Sequence, residues 1–312
     1  MTGPSEAGRP KAIFIGSGAF GVESLHRLHG APEVSLVAVV TAPARPAGRG
    51  GRLTPTPVES AARSAGVGRI LAPPRLRSDA TIAEILALEP ELIVLADYGR
   101  LVPARLLEVP LGALNLHPSL LPRHRGATPI AATILAGDEE TGVTLMEMDE
   151  GLDTGPIVAQ SRVALSGRET APELEGTLSR EAEQLLGRSL GPWVRRELPA
   201  IPQPADGATL TRPLTRGDGL LDPHRPAAAL ERQVRAYQPW PGSYLDTPAG
   251  RLIVLAASVA AGPARSPGNL ETEPDLRLAT SDGWLVLDEV KPAGGLPMSG
   301  QSFVRGRRAT FT

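Results

Sequence analysis

The chain has 312 residues, a length that suits about two domains and a sizeable buried core. Apolar residues make up 41% and charged residues 21%, which excludes a disordered chain; the formal net charge of −2 excludes a globally basic nucleic-acid coat but not a local basic patch. There is no cysteine, so disulfide frameworks, thiolate zinc sites and cysteine nucleophiles are excluded together.

The opening MTGPSEAGRP lacks the apolar segment of a secretory signal. Nowhere do roughly 18 apolar residues run together, the length a membrane-spanning helix needs. A cytoplasmic protein without membrane contact is expected. KAIFI (11–15) is a short apolar run ending at glycine, the mark of a buried strand. Residues 19–29 follow with Phe20, Val22, Leu25 and Leu28 near helical spacing. VSLVAVV (34–40) is a second strand that leaves through a Pro/Gly/Arg loop, after which Pro57 opens a helix near its first turn. A short strand at RILAP (69–73), a helix over DATIAEILALEP and a strong strand at ELIVLADYG (91–99) come next. GALNLHPSL (112–120) is a strand running into a loop, PIAATILAG (129–137) a helix, and TGVTLMEMDEG alternates as a strand does. One or two closing helices cover RETAPELEGTLSREAEQLLGRSLGPWVRREL. Strands alternating with helices predict a parallel α/β sheet with right-handed crossovers.

The composition changes near residue 199, and the expected division is a catalytic α/β domain over 1–198, a polar, proline-rich linker over 199–213 and a smaller domain over 214–312. The last part opens with a helix at AAALERQVRAY. RLIVLAASV, LRLATSDGWLVLDEV and SFVRGRR then read as short strands of a β-barrel-like domain.

Two motifs compete for the chemistry. Gly16-Ser17-Gly18-Ala19-Phe20-Gly21 matches G-x-G-x-x-G after a strand, the dinucleotide fingerprint. That fingerprint also wants an acid at the end of the second strand for the ribose, and Val40-Thr41-Ala42-Pro43 carries none, although Arg45 suits a 2′-phosphate. A tight strand-to-helix turn is the favoured reading. The second motif is polar. Asn115 and His117 are two apart in a strand, so their side chains share a face, and Asp153 follows the next strand inside GLDTG. Parallel sheets bind ligands at the carboxyl ends of their strands, where an amide, an imidazole and a carboxylate form an acid–base and oxyanion site. Pattern alone leaves open a purely structural histidine. Asp97, ending ELIVLAD, lines the same crevice or is a surface acid. His26, His29, His124 and His224 lack metal-ligand spacing, so no metal is expected.

NLHPSLLPRHRGATPI followed by AGDEETGVTLMEMDEGLDTGPI closely resembles the formyltransferases that use 10-formyltetrahydrofolate. ARPAGRGGRLTPTPV, RAYQPWPGSYL and VKPAGGLPMSGQSFVRG are similar to the methionyl-tRNA formyltransferases among them, and the resemblance runs from about Lys11 to the terminus. It implies a Rossmann-like parallel-sheet formyltransferase domain followed by an OB-like β-barrel domain. It also implies 10-formyltetrahydrofolate as formyl donor and initiator methionyl-tRNA as acceptor and partner; a monomer is expected, although nothing in the sequence specifies the oligomeric state. By the same resemblance Asn115, His117 and Asp153 are catalytic, Ser119, Leu120, Leu121 and Pro122 hold the folate, and Arg49 meets the tRNA acceptor end. The family usually writes G-T-P-x-F where this chain has Gly16-Ser17-Gly18-Ala19-Phe20, and often has lysines where this chain has Gly51-Arg52.

The implied reaction is direct attack of a neutral amine on the formyl carbon. His117 and Asn115 stabilise the oxyanion, Asp153 assists the histidine, and no covalent enzyme intermediate forms. Two runs free of acids fit RNA phosphates: Arg45, Arg49 and Arg52, and Lys291, Arg305, Arg307 and Arg308. Alternatives within the same chemistry are a formyltransferase acting on an amino sugar or on glycinamide ribonucleotide, and a 10-formyltetrahydrofolate hydrolase. Outside it stand an NAD(P)-binding oxidoreductase and a non-catalytic tRNA-binding protein.

Overall fold

The computed structural model describes residues 8–47, 51–247, 250–262 and 266–306. Arg49, Arg307 and Arg308, expected at phosphates, lie outside the described residues. In chain order the elements are β1 (Lys11–Gly16), α1 (Gly21–His29), β2 (Ser35–Val40), β3 (Arg45–Ala47), β4 (Arg52–Thr54), α2 (Pro57–Ser64), β5 (Ile70–Leu71), α3 (Asp79–Leu86), β6 (Leu92–Ala96), α4 (Ala104–Leu107), β7 (Ala113–His117), β8 (Arg125–Gly126), α5 (Pro129–Ala136), β9 (Glu140–Glu147), β10 (Ile157–Ala164), α6 (Ala171–Val194) and β11 (Leu210–Thr211). A 3₁₀ turn (Arg216–Gly219), α7 (Ala227–Ala236), β12 (Ser243–Thr247), β13 (Gly250–Ala260), β14 (Leu270–Glu271), β15 (Arg277–Ala279), β16 (Trp284–Pro292), β17 (Met298–Ser299) and α8 (Gly300–Gly306) follow.

The chain forms two compact units. The first takes residues up to 129 with 140–164 and 175–211; the second takes 130–139, 165–174 and residues from 212 onward. The first unit is a Rossmann-like α/β domain around a seven-stranded sheet of order β10-β9-β7-β6-β1-β2-β5. β5, β2, β1, β6 and β7 run parallel, while β9 is antiparallel to β7 and β10 antiparallel to β9. β6 is buried along its whole length, as a central parallel strand covered on both faces must be, which is why LIVLA reads as an unbroken apolar run. Ile13, Ile15, Val40, Ile82, Ile85, Ile93 and Leu106 pack together on one face of this sheet. Two of its helices carry local start signals. Thr56 caps α2 by accepting Glu59 N–H with Pro57 in the first turn, and Ser78 caps α3 by accepting Thr81 N–H.

The sequence-based expectations differ from the structure in several places. The Pro/Gly/Arg loop after β2 contains the β3–β4 hairpin. β10 was not anticipated; as an edge strand it is only half buried, so its alternation is weak. The closing segment is one helix, α6. Residues of the expected linker take part in the first unit: Ile201 bridges Ile157, and β11 pairs in parallel with β8.

The second unit is built on an antiparallel sheet, β12-β13-β16-β15-β14, with β17 on β16. Leu230 and Val234 of α7 pack with Leu252, Val254, Leu285, Leu287 and Phe303 in its core. SFVRGRR, expected as a strand, is instead the helix α8 as far as it is described: Ser302 N–H is taken by the Ser299 hydroxyl and Phe303 is buried. A segment this short supplies too few apolar positions to separate a period of 2 from 3.6.

Candidate active site

β7 lies between β6 and β9, and all five of its residues are buried. Asn115 pairs across to Met146 and His117 to Thr144 of β9. Both are nearly inaccessible, at 6% and 4% exposure, so their polar atoms must find partners in the protein or in a ligand. The loop after β9 brings Asp153 to them. That loop is pinned by Asp149, whose carboxylate accepts Gly151 N–H at 3.0 Å and the Thr154 hydroxyl at 2.8 Å. Asp153 itself adopts φ 54, in the left-handed region.

The Asp153 carboxylate is divided between three groups. Oδ1 accepts from Asn115 Nδ2 at 3.4 Å. Oδ2 accepts Gly126 N–H at 2.8 Å and lies 3.6 Å from His117 Nδ1. On the other side of the ring, His117 Nε2 donates to the His124 carbonyl at 2.9 Å. A carbonyl only accepts, so Nε2 carries a proton and Nδ1 is the nitrogen left to gain or lose one, facing the carboxylate. Asn115, His117 and Asp153 therefore converge within the first unit. An amide donor, a proton-carrying imidazole and a paired carboxylate are the parts needed to move a proton beside a developing oxyanion. Among the described residues no cluster of His, Asp or Glu has the arrangement of a metal site.

The segment after β7 is braced from within. Ser119 is fully buried, and its hydroxyl donates to the Arg123 carbonyl at 2.6 Å. Thr144 Oγ1 donates to Ser119 O and accepts Leu121 N–H, and Gln160 Nε2 donates to Leu121 O. Leu121 is buried as well, whereas Leu120 and Pro122 are half buried. Ser119 and Leu121 thus shape the segment from inside, and Leu120 and Pro122 are the two with exposed surface.

The glycine turn after β1 has a different use from the dinucleotide one. Ser17 and Gly18 N–H both go to the Asp97 carbonyl, at 2.9 and 3.1 Å. The Asp97 carboxylate occupies the space next to Gly18, where an added Cβ would stand 1.6 Å from Oδ2. The Asp97 and Glu175 carboxyls both lie near the Phe20 backbone at the start of α1. Burial pushes both carboxyls above the ordinary range, and the Asp97 charge adds to the shift of Glu175. A pyrophosphate would find the Ser17 and Gly18 amides already bonded to Asp97 and would meet two acids, so the NAD(P) alternative is set aside and the tight-turn reading holds. Ser17 also joins strand exits, its Oγ accepting Ala42 N–H at 3.0 Å. Asp97 lines a cleft of about 420 Å³ with Ser17, Arg45, Thr56, Tyr98 and Arg100; none of Asn115, His117 and Asp153 lines it.

Sequence reasoning missed the partners of the three converging residues. His124 acts through its carbonyl and Gly126 through its amide, and backbone groups carry no residue signature. Gln203 is 50 positions beyond Asp153 yet donates to its carbonyl at 2.8 Å. Nothing local in sequence marks that contact.

Comparison with known proteins gives one answer. The formyl transferase pattern matches residues 11–190, and that of the formyl transferase C-terminal domain matches 213–308. Methionyl-tRNA formyltransferase of Symbiobacterium thermophilum is 41% identical over 302 residues, covering 95% of this chain and 92% of that protein. The methionyl-tRNA formyltransferase of Halorhodospira halophila is 43% identical, covering 96% of each. Among solved structures, an N-formyltransferase from Helicobacter canadensis in complex with folinic acid and dTDP-3-aminofucose superposes with a TM-score of 0.64 at 16% identity, over 89% of this chain and 98% of that one. HypX from Aquifex aeolicus in complex with tetrahydrofolic acid gives 0.62 at 16% identity over 94% of this chain, which spans about half of HypX, 46% of its length. At these identities the two structures show a shared fold.

Proposed function

The chain belongs to the formyl transferase family, and on that footing we propose that it transfers the formyl group of 10-formyltetrahydrofolate to the free α-amine of methionyl-tRNA, the initiator species. The products are N-formylmethionyl-tRNA and tetrahydrofolate. The observation that carries this reading is the meeting of Asn115, His117 and Asp153 at one point, in a chain about 40% identical to methionyl-tRNA formyltransferases over nearly its whole length.

The chemistry follows from the groups present. The neutral amine attacks the formyl carbon, and the carbonyl oxygen takes up the negative charge. Asn115 has two amide N–H groups and gives one to Asp153, which leaves the other for that oxygen. The His117 ring, held by the His124 carbonyl and facing Asp153, supplies positive charge beside it when Nδ1 is protonated. Asp153 pairs with that charge and assists removal of the proton from the attacking nitrogen. The tetrahedral centre collapses with cleavage of the bond to folate N10, which leaves with a proton. Holding both substrates on one surface supplies the proximity term. Leu120 and Pro122 face the folate, the buried Ser119 and Leu121 set that segment's shape, and Arg49 meets the acceptor end of the tRNA.

The test is direct. Purified protein is mixed with 10-formyltetrahydrofolate and charged initiator tRNA, and formylmethionine is measured after hydrolysis of the ester. Formation of formylmethionine is expected. Release of formate without it, or formylation of an amino sugar nucleotide in its place, overturns the reading.

A further inference from the structure

The stretch between the two family matches, residues 191–212, is polar and rich in proline. One residue in it is tied to the active-site loops at every polar atom of its side chain. Gln203 Nε2 donates to the carbonyls of Asp153 and Gly155, both at 2.8 Å. Its Oε1 accepts Arg125 Nε at 3.0 Å and Nη2 at 2.6 Å. One amide thereby joins the loop that supplies Asp153 to the loop that supplies Gly126 N–H and the His124 carbonyl. These are the two backbone groups that hold the Asp153 carboxylate and the His117 ring.

The residues after Gln203 secure the same loop along its backbone. Thr209 Oγ1 accepts His124 N–H at 2.8 Å, and Thr209 O accepts Arg125 N–H at 2.9 Å. Thr211 Oγ1 donates to the Arg125 carbonyl and accepts Thr128 N–H, each at 3.0 Å. Asp153 sits in a left-handed conformation, which a non-glycine residue keeps only when its surroundings determine it. The Gln203 bonds to the carbonyls of residues 153 and 155 lie on either side of that turn, beside the Asp149 bonds within the loop.

We propose that residues 203–211 form a positioning strap for the acid–base pair, with Gln203 as the residue that holds the Asp153 carboxylate in register with His117 and Asn115. This rests on reading those three as the catalytic set. Gln203 touches no reacting atom and acts through Asp153. Loss of the clasp lets the carboxylate drift, and a displacement of about 1 Å at a reacting group can cost on the order of a hundredfold in rate.

The experiment compares Gln203→Ala, Gln203→Glu, Asp153→Asn and the double variant Gln203→Ala/Asp153→Asn. Steady-state formyl transfer from 10-formyltetrahydrofolate to methionyl-tRNA is measured, and folding is followed by circular dichroism. Gln203→Glu keeps an acceptor for Arg125 but turns a carboxylate toward two carbonyls, so it breaks the clasp on residues 153 and 155 and leaves the Arg125 contact. Both single Gln203 variants are expected to lose about ten- to a hundredfold in kcat, with KM for each substrate within about twofold of the parent. The double variant is expected to be no slower than Asp153→Asn, because Gln203 works through that carboxylate. If Gln203→Ala does not fold, Gln203→Glu carries the same expectation. Native kcat in a folded Gln203 variant, or a double-variant loss equal to the product of the single losses, overturns the strap and leaves the catalytic assignment standing. Native kcat in Asp153→Asn overturns the catalytic assignment and the strap with it.

Discussion

At the scale of single residues, the proposed mechanism separates side chains that act from side chains that hold. Asn115 is the clearest actor in it. Its amide is buried and gives one N–H to Asp153 at 3.4 Å, which in the proposed mechanism leaves the other for the anionic oxygen. Asn115→Ala is expected to lower kcat by roughly 10²–10³-fold, about 2.7–4 kcal/mol of barrier, while the melting temperature stays near that of the parent. Turnover within a factor of about three of the parent removes Asn115 from the mechanism. Asp97 holds, and does so at a cost. Its carboxyl is buried and titrates above the usual range, so the folded chain keeps that proton more tightly than the unfolded chain does. Its contribution to stability is therefore complete below the unfolded carboxylate pKa of about 3.9 and is lost as pH rises through the higher folded value. Asp97→Asn abolishes that loss and relieves Glu175 of a neighbouring charge. The variant's melting temperature relative to the parent is expected to rise as the pH increases above the ordinary carboxylate value of about 3.9. Parallel pH curves for the two proteins contradict this account of Asp97.

At the scale of elements, the site is an agreement between one strand end and two loops. β7 fixes Asn115 and His117, and its sheet position is legible because Leu114 and Leu116 alternate with those two polar side chains. The loop contacts were not legible. The His124 carbonyl and the Gly126 amide are the same in every residue type, and only the path of the chain brings them to His117 and Asp153. Gly126 does leave a trace. It has φ 105, and an added Cβ would stand 2.4 Å from the Thr211 carbonyl. Gly126→Ala forces β8 away from β11 and takes a backbone donor from Asp153. A stability loss of about 1–3 kcal/mol in thermal or urea unfolding is expected, together with lower kcat in the fraction that remains folded. A fully active variant of parental stability refutes the close approach. The polar stretch 199–213 reads as a linker for a related reason. It engages the sheet through backbone groups and amides, which carry no hydrophobic periodicity.

At the scale of the whole molecule, two units share one chain and the charge is distributed by surface. Net charge is −2, yet Arg45 and Arg52 of the β3–β4 hairpin and Arg305 of α8 are exposed, in runs without acids. Use of methionyl-tRNA is expected to be salt-sensitive, with kcat/KM for the tRNA falling steeply from about 50 to about 200 mM salt while the KM for folate changes little. Arg49→Ala should raise the KM for tRNA and lower the salt slope by roughly 1. An unchanged tRNA dependence takes Arg49 out of the interface.

The sequence by itself determined the class of chemistry and the layered α/β architecture. Burial imposes periodicity, and a strand end carrying Asn115 and His117 two apart can present them only on one face. Tertiary structure alone decided how the acid–base pair is held. The Asp153 carboxylate accepts an amide from Gly126 and its backbone carbonyl accepts a side chain fifty positions downstream, and such bonds depend on distance in space, with no counterpart in residue order.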